Sequence, residues 1–430
     1  MLTPTARATL LVSTLFATGV IGGAWAGTAA VDRALDPYAS LDTLVRVLGL
    51  IETSYVDEIP TSELVSAAID GMLRRLDPHS TWLDPERAAA LRADTDGQAT
   101  GIGVEVRPGP DGAVVTRVLS GSPASREGLQ PGDRIIEIDG APVDAAHPWN
   151  SDALDGERGE ITHLRVLRDG APLTVDATRD VVHTPSVEAA SLEPDILYAR
   201  VRQFQRGCST ELENALGASR WRALVLDLRD NPGGLLDEAV KVADQFLDDG
   251  VIVSTWGRLE SERTSYSATP GSVTGPVIVL VNGMTASAAE IVASALQDTR
   301  RGVLVGTHTY GKGSVQSVFQ HRDGSALKLT IARYYTPSGE PVAANDGRRP
   351  DVEVAWPSPL TPRARLTRDI EALDLPEARK TEMLGLLQVI GHGDPEPRVI
   401  PPWDLTPAER VRVDPQLSAA LAQAKAALAR

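Results

Sequence analysis

The chain has 430 residues, more than one ordinary domain needs, and is 42% hydrophobic but only 4% aromatic, so its cores must be mainly aliphatic. A formal net charge of −16 excludes a nucleic-acid partner, because phosphate binding requires a basic surface. The single cysteine, Cys208, excludes an intrachain disulfide, and its surroundings, RGCST, carry no signature of a thiol nucleophile.

In chain order, Arg7 precedes a charge-free stretch from Ala8 to Val31 that ends in Ala24-Trp25-Ala26. A positive start, an apolar middle and an A-x-A exit describe a signal peptide over residues 1–30. Left uncut, the stretch approaches the ~20 residues that span a bilayer. Either reading places the protein outside the cytoplasm, periplasmic or otherwise extracytoplasmic, with membrane anchoring through this segment as the second form. Residues 31–86 repeat apolar positions at helical spacing in LDTLVRVLGLIETSYV and SELVSAAIDGMLRRL. Thr61-Ser62 reads as a helix cap after Pro60, and Gly71 as a point of close packing. Asp77-Pro78-His79-Ser80 is a turn by composition, with His79 structural because no second ligand sits at metal spacing.

Residues 87–180 change to short strands and turns, a compact β-rich module. Residues 181–357 are α/β in texture. RALVLDLR (222–229), PVIVLVN (276–282) and GVLVG (302–306) read as buried strands, with helical runs between them. Continuous apolar strands alternating with helices imply a largely parallel sheet. The tail, 358–430, reads as surface helices in RLTRDIEAL and PQLSAALAQAKAALAR.

Sites in open α/β sheets form beyond the carboxyl ends of the strands. Three segments fall there: Asn231-Pro232-Gly233-Gly234, Gly283 to Ser287, and THTYGKG from Thr307 to Gly313. Ser287 at a helix start lies beside free N–H groups such as that of Ala288, and the Gly233-Gly234 pair lets backbone N–H groups turn inward, so the two can form an oxyanion hole. Alone, Ser287 reads first as an inert N-cap or first-turn serine. A nucleophilic serine needs a base, and both His308 and Lys312 lie on the third loop. Lys312 must be neutral to serve, whereas a histidine needs less tuning. Gly306, Gly311 and Lys312 also match the spacing of a phosphate loop, but Gly313 stands where Ser or Thr should hold magnesium, which argues against nucleotide.

The segment TASAAEIVASALQDTRRGVLVGTHTYGKGSVQ resembles the active-site region of the carboxyl-terminal processing peptidases, or tail-specific proteases. The resemblance implies that Ser287 is the nucleophile, Lys312 its general base and Gln316 the residue that orients the lysine. It implies a supporting role for Asp298, and oxyanion donors from the backbone of Gly233 and Ala288. RRLDPHSTWL is similar to the family's helical entry segment. ATGIGVEV and SPASREGLQPGDRIIEIDG are similar to its PDZ domain, and RYYTPSGEPV and RPDVEV to the strands closing its core. The likeness covers about residues 40–357. Thr285, Ala289 and Tyr310 depart from the family pattern outside the proposed pair.

The expected architecture is thus multidomain α/β: a helical N-terminal region, a β-rich PDZ domain, an α/β protease core with a largely parallel sheet, and a helical C-terminal tail. A PDZ domain takes a chain end as an added strand and holds its carboxylate in backbone N–H groups, and Gly101-Ile102-Gly103-Val104 is the candidate loop. The resemblance implies that this domain can gate the active site. The expected function is cleavage of exported proteins selected by their C-terminal tails, with no metal or organic cofactor. Protein or peptide substrates with accessible C-termini are the expected partners, and the reading leaves room for an activating adaptor and a homo-oligomer.

Overall fold

Apolar runs long enough to be buried on both faces dictate the centre of this molecule, and helix caps dictate what flanks it. In a computed structural model the described residues are 41–109, 111–144, 146–147, 154, 156–259, 263–342, 347–355 and 407–430. The segment read as a signal peptide and the RLTRDIEAL stretch lie outside them. Among the described residues no helix is long and apolar enough to cross a membrane. The chain divides into two units, one up to Trp82 and one from Leu83.

The first unit contains helix α1 (residues 41–54) and helix α2 (Thr61–Leu73). The expected cap is not one: Pro60 occupies the N-cap position of α2 without a side-chain bond. Thr61 lies inside the helix, its hydroxyl turned to Glu52. Nor does Gly71 mark close packing, since no atom lies within 4 Å of where its Cβ would stand. Asp77 organises the following turn by accepting the His79 and Ser80 N–H groups, each at 2.8 Å. His79 therefore takes part in this turn through its backbone.

Strand β1 (Thr81–Leu83) precedes helix α3 (Pro85–Thr95), which Asp84 caps by accepting from the Arg87 N–H at 2.8 Å. Strand β2 (Gln98–Gly101) leads into the β-rich module. Its main sheet runs β3 (Val104–Gly109), β4 (Gly112–Val118), β5 (Arg134–Ile138), β7 (Ile161–Arg168) and β8 (Ala171–Thr178), with β6 (Ala141–Pro142) on β5. Strand β9 (Asp180–His183) leaves the module paired with β2. Alternation in β7 sends Thr162, Leu164 and Val166 inward, and the last two join the core that contains Ile102, Val115 and Ile135. Ser122 caps the short helix α4 (Pro123–Arg126).

The central sheet of the α/β region has the order β10 (Val187–Glu193), β11 (Ile196–Val201), β12 (Ala223–Asp227), β15 (Val277–Val281), β16 (Gly302–Gly306), β19 (Val352–Glu353). All neighbours from β11 onward are parallel, and β10 is antiparallel. Every residue of β12 and β15 is buried, because helices cover both faces. On one face lie α5 (Cys208–Gly217), α6 (Leu236–Asp244) and α7 (Ala288–Asp298). A second, antiparallel sheet joins β13 (Val251–Gly257), β14 (Thr264–Ser267), β17 (Ser314–Gln320) and β18 (Ala326–Tyr335). The C-terminal helices are α8 (Pro407–Val413) and α9 (Pro415–Leu428). Read from sequence as a surface helix, α9 buries Leu417, Ala420, Leu421 and Ala424 against the opposite face of the central sheet. These four positions form one helical stripe, and each leucine contributes about 2 kcal/mol.

Candidate active site

Strands β12, β15 and β16 are parallel neighbours, so the loops after them share one end of the sheet. The turn after β15 is tied to the turn after β12 at several points. The Thr285 hydroxyl donates to Leu228 O at 2.8 Å, and the Ala286 N–H donates to Asn231 O at 2.9 Å. Asn282 and Asp230 bond reciprocally, each at 3.0 Å. Thr285 departs from the resembled pattern but keeps a hydroxyl, which it uses as this anchor.

Ser287 is buried at the N-terminus of α7, with φ 56° and ψ −118°. An ordinary N-cap is extended; a left-handed serine costs about 1–3 kcal/mol and persists only where its surroundings over-determine it. Gly233 (φ 104°) is part of those surroundings. A Cβ there would stand 2.8 Å from Ser287 Cβ and 3.0 Å from Ala288 N. The glycine loop, the serine and the first N–H of α7 are therefore in contact. The Ala288 N–H donates to no group among the described residues. The Gly233 N–H is occupied: it donates to Asn231 Oδ1 at 2.8 Å, while the Asn231 amide nitrogen donates to Val201 O at 2.8 Å. The cause is the ability of an asparagine to bond the backbone two residues on. Of the two expected oxyanion donors, one is open and the other is taken.

Glu290, which the sequence reading passed over, joins the second and third loops. Its buried carboxylate accepts the Ser287 N–H at 2.8 Å, the Gly311 N–H at 2.7 Å, the Lys312 N–H at 2.8 Å and the Thr309 hydroxyl at 2.5 Å. Burial pushes this carboxyl above its ordinary range, against the pull of the four donors. A signal was available: Ser287 followed three residues later by Glu290 has the spacing of a capping box. Thr309 also accepts the Arg348 N–H at 2.7 Å.

Arg348 pairs with Asp298 at the far end of α7, where Asp298 also accepts the Ser338 N–H at 3.1 Å. Burial opposes the Asp298 charge, but Ser338 and Arg348 hold its carboxyl below the usual value. Asp298 thus lies at the far end of a chain of contacts running through Arg348, Thr309 and Glu290 to the two loops.

Lys312 is half-buried, and its ammonium has no hydrogen-bond or ion-pair partner among the described residues. Burial, then the charge of Lys328 on β18, lowers its pKa from the ordinary 10.5, with Glu290 opposing. Gln316 is not joined to it. Its amide donates to the Ser314 hydroxyl at 2.8 Å and the Thr330 hydroxyl at 3.2 Å. The register slip between Val315 and Gln316 accounts for this, since a bulge re-aims the side chain beside it. His308, the rival base, makes no side-chain hydrogen bond to Ser287.

The glycine loop of the β-rich module is held by that module's own residues. Ile102 is buried in the module's own core. Gly103 (φ 78°) passes so close to Ser122 that a Cβ would stand 2.4 Å from that residue's Cβ. The Ile102 and Gly103 carbonyls accept the Ala124 and Leu119 N–H groups, each at 2.9 Å. Gly101 ends β2 and Val104 begins β3. Cys208 is buried, and its thiol is pushed up to about 12 by burial, as befits an inert group.

Residues 195–354 match the family described as Peptidase family S41, residues 100–178 the PDZ domain, and residues 26–87 the activating protease CtpB N-terminal domain. The chain is 38% identical over 335 residues to a carboxy-terminal-processing protease of Bartonella bacilliformis, a match covering 75% of this chain and 76% of that protein. It is 34% identical over 328 residues to a probable CtpA-like serine protease of Staphylococcus aureus, covering 74% of this chain and 66% of that one. Among solved structures it is similar to the photosystem II D1 C-terminal processing protease, at 30% identity and a TM-score of 0.43, covering 72% of this chain and 92% of that one.

Proposed function

The chain belongs to the carboxy-terminal-processing proteases of peptidase family S41, and we propose that within this serine peptidase Ser287 attacks the scissile carbonyl while neutral Lys312 takes its proton. The observation that carries the assignment is the Glu290 carboxylate, which bonds the backbone N–H groups of Ser287 and Lys312 at once. The lowered pKa of Lys312 supports its use as a base. The tetrahedral oxyanion is held by the Ala288 N–H and by the Gly233 N–H, the latter once it exchanges Asn231 Oδ1 for the substrate oxygen. One such donor is worth about 3–4 kcal/mol. Collapse breaks the C–N bond as the Lys312 ammonium gives its proton to the leaving amine, forming an acyl-enzyme; neutral Lys312 then takes a proton from the attacking water and returns it to Ser287 Oγ as the acyl bond breaks. Gln316 orients the lysine after turning from Ser314 and Thr330, and Asp298 supports the lysine loop through Arg348.

The substrate reading extends from the same family. The domains are those of the sequence reading: a helical region at 31–86, a PDZ domain at 87–180, the protease core at 181–357 and a C-terminal region at 358–430. The Gly101–Val104 loop receives a substrate C-terminus and delivers the chain to Ser287, raising its local concentration. Residues 1–30 export the protein, so its substrates are exported proteins with accessible tails. The decisive assay is cleavage of an unfolded protein with an apolar C-terminal tail. Ser287→Ala and Lys312→Ala should each abolish turnover, whereas His308→Ala should retain it. Activity surviving in Lys312→Ala, or lost in His308→Ala, rejects the Ser–Lys pair.

A further inference from the structure

The strand that ends in the glycine loop carries a buried ionic cluster at its tip. The Arg229 guanidinium donates to Asp227 from Nε at 3.0 and 3.1 Å and from Nη2 at 2.6 Å. From the other side it meets Asp414, with Nη1 at 3.1 Å and Nη2 at 2.8 Å, and Gln416 Oε1 at 3.1 Å. The Tyr198 hydroxyl closes the group by donating to Asp227 at 2.8 Å. All five side chains are buried. Burial opposes the charge on Arg229, but the two carboxylates hold its pKa well above the ordinary value.

Asp414 and Gln416 do not belong to the sheet. Asp414 is the N-cap of α9, accepting the Leu417 N–H at 2.8 Å, and Gln416 is in its first turn. The helix already docks through an apolar stripe, and buried ion pairs are weak stabilisers compared with apolar residues of the same volume. Docking alone does not call for the cluster. Its position does: the residues on either side of Arg229 are the ones that hold the nucleophile turn. Leu228 O receives Thr285, Asp230 pairs with Asn282, and Asn231 O receives Ala286. Ser287 follows in a conformation that needs such support.

We infer that Asp414, contributed by the C-terminal helix, is a positioning residue for the Ser287 loop, acting through Arg229 on the backbone of residues 228–231. The inference rests on Ser287 being the nucleophile. Its test is the rate at which a small fluorophosphonate acylates Ser287 in the full chain, measured well below the unfolding midpoint, together with kcat and KM on a tailed substrate. Wild type should be labelled at Ser287. Asp414→Asn keeps the shape and the helix cap but removes a charge; its labelling and its kcat should fall about a hundredfold, with KM within about twofold. A purely structural role would lower the midpoint and leave the labelling rate of folded protein unchanged, and that result overturns the inference. Should Asp414→Asn fail to fold, Gln416→Leu decides: it keeps both charges and should slow labelling about fivefold, and a wild-type rate overturns the inference. Wild type left unlabelled at Ser287 would instead refute the nucleophile assignment.

Discussion

Ser287 stands on a turn bonded from its neighbours' side chains, from the adjacent loop and from the first turn of its own helix, whereas Lys312 is held only through its backbone. Around Ser287, Thr285, Asn282, Asn231 and Glu290 are all spent on fixing the main chain. Around Lys312, the Glu290 bond fixes the amide, but the ammonium has no partner among the described residues and Gln316 faces Ser314 and Thr330. The difference teaches how the labour of such a pair is divided. A nucleophile must be placed before substrate arrives, since misplacement costs directly in rate. A base of lysine type must instead stay uncharged, and leaving its amine without a carboxylate partner in a half-buried place serves that end.

The largest expected effects test whether both halves are needed. Ser287→Ala and Lys312→Ala should each lower kcat by at least about ten-thousandfold, because members of such a unit fail together. Next comes the contact between the halves. Gly233→Ala would press a methyl to 2.8 Å from Ser287 Cβ on a backbone that alanine resists, and should lower kcat about a hundred- to a thousandfold. Glu290→Gln puts an amide donor against four donors and should lower kcat about a hundredfold, with both loops showing faster hydrogen exchange.

A smaller effect sharpens the contrast in charge. Because folding lowers the Lys312 pKa, kcat/KM should rise with pH and level off below 10.5. The unfolded chain binds the proton that the folded lysine gives up, so this residue's contribution to stability should rise with pH between the lowered value and 10.5. Lys328→Gln removes a charge that favours neutrality and should move the activity limb to higher pH. The smallest effect is none: Cys208, with its thiol pushed up to about 12, should resist alkylation in the native protein at pH 8, and a modified, fully active enzyme would contradict its burial.

The sheet and its three loop ends were legible because β15, β16 and β12 up to Leu226 are unbroken runs of apolar residues and glycine, the pattern of strands buried on both faces. Ser287 and Gly233 could be placed near each other by topology alone. Two features were not legible, and a third carried a signal that was easily misread. Asn231 takes the Gly233 N–H by a side-chain geometry that composition does not encode. Gln316 is turned away by a one-residue register slip, which no hydrophobic pattern reveals. Glu290 was hidden because a glutamate in a helix's first turn ordinarily reads as surface charge, and only its burial shows otherwise. The tail misled in the opposite sense: an alanine-rich amphipathic stripe looks superficial until the sheet face it covers is seen.

The Arg229 cluster also bears on the order in which this enzyme's site is completed. Ser287, Glu290 and Lys312 all precede Asp414 in the chain. A nascent polypeptide that has emerged as far as the lysine loop holds Ser287, Glu290 and Lys312 but not yet Asp414, the second carboxylate that meets Arg229. The bonds from Thr285, Asn282 and Glu290 brace the nucleophile turn without α9, and the contact with Asp414 is added to them last. On the inferred role of Asp414, synthesis from the N-terminus makes its contact with Arg229 the last of the site's supports to form.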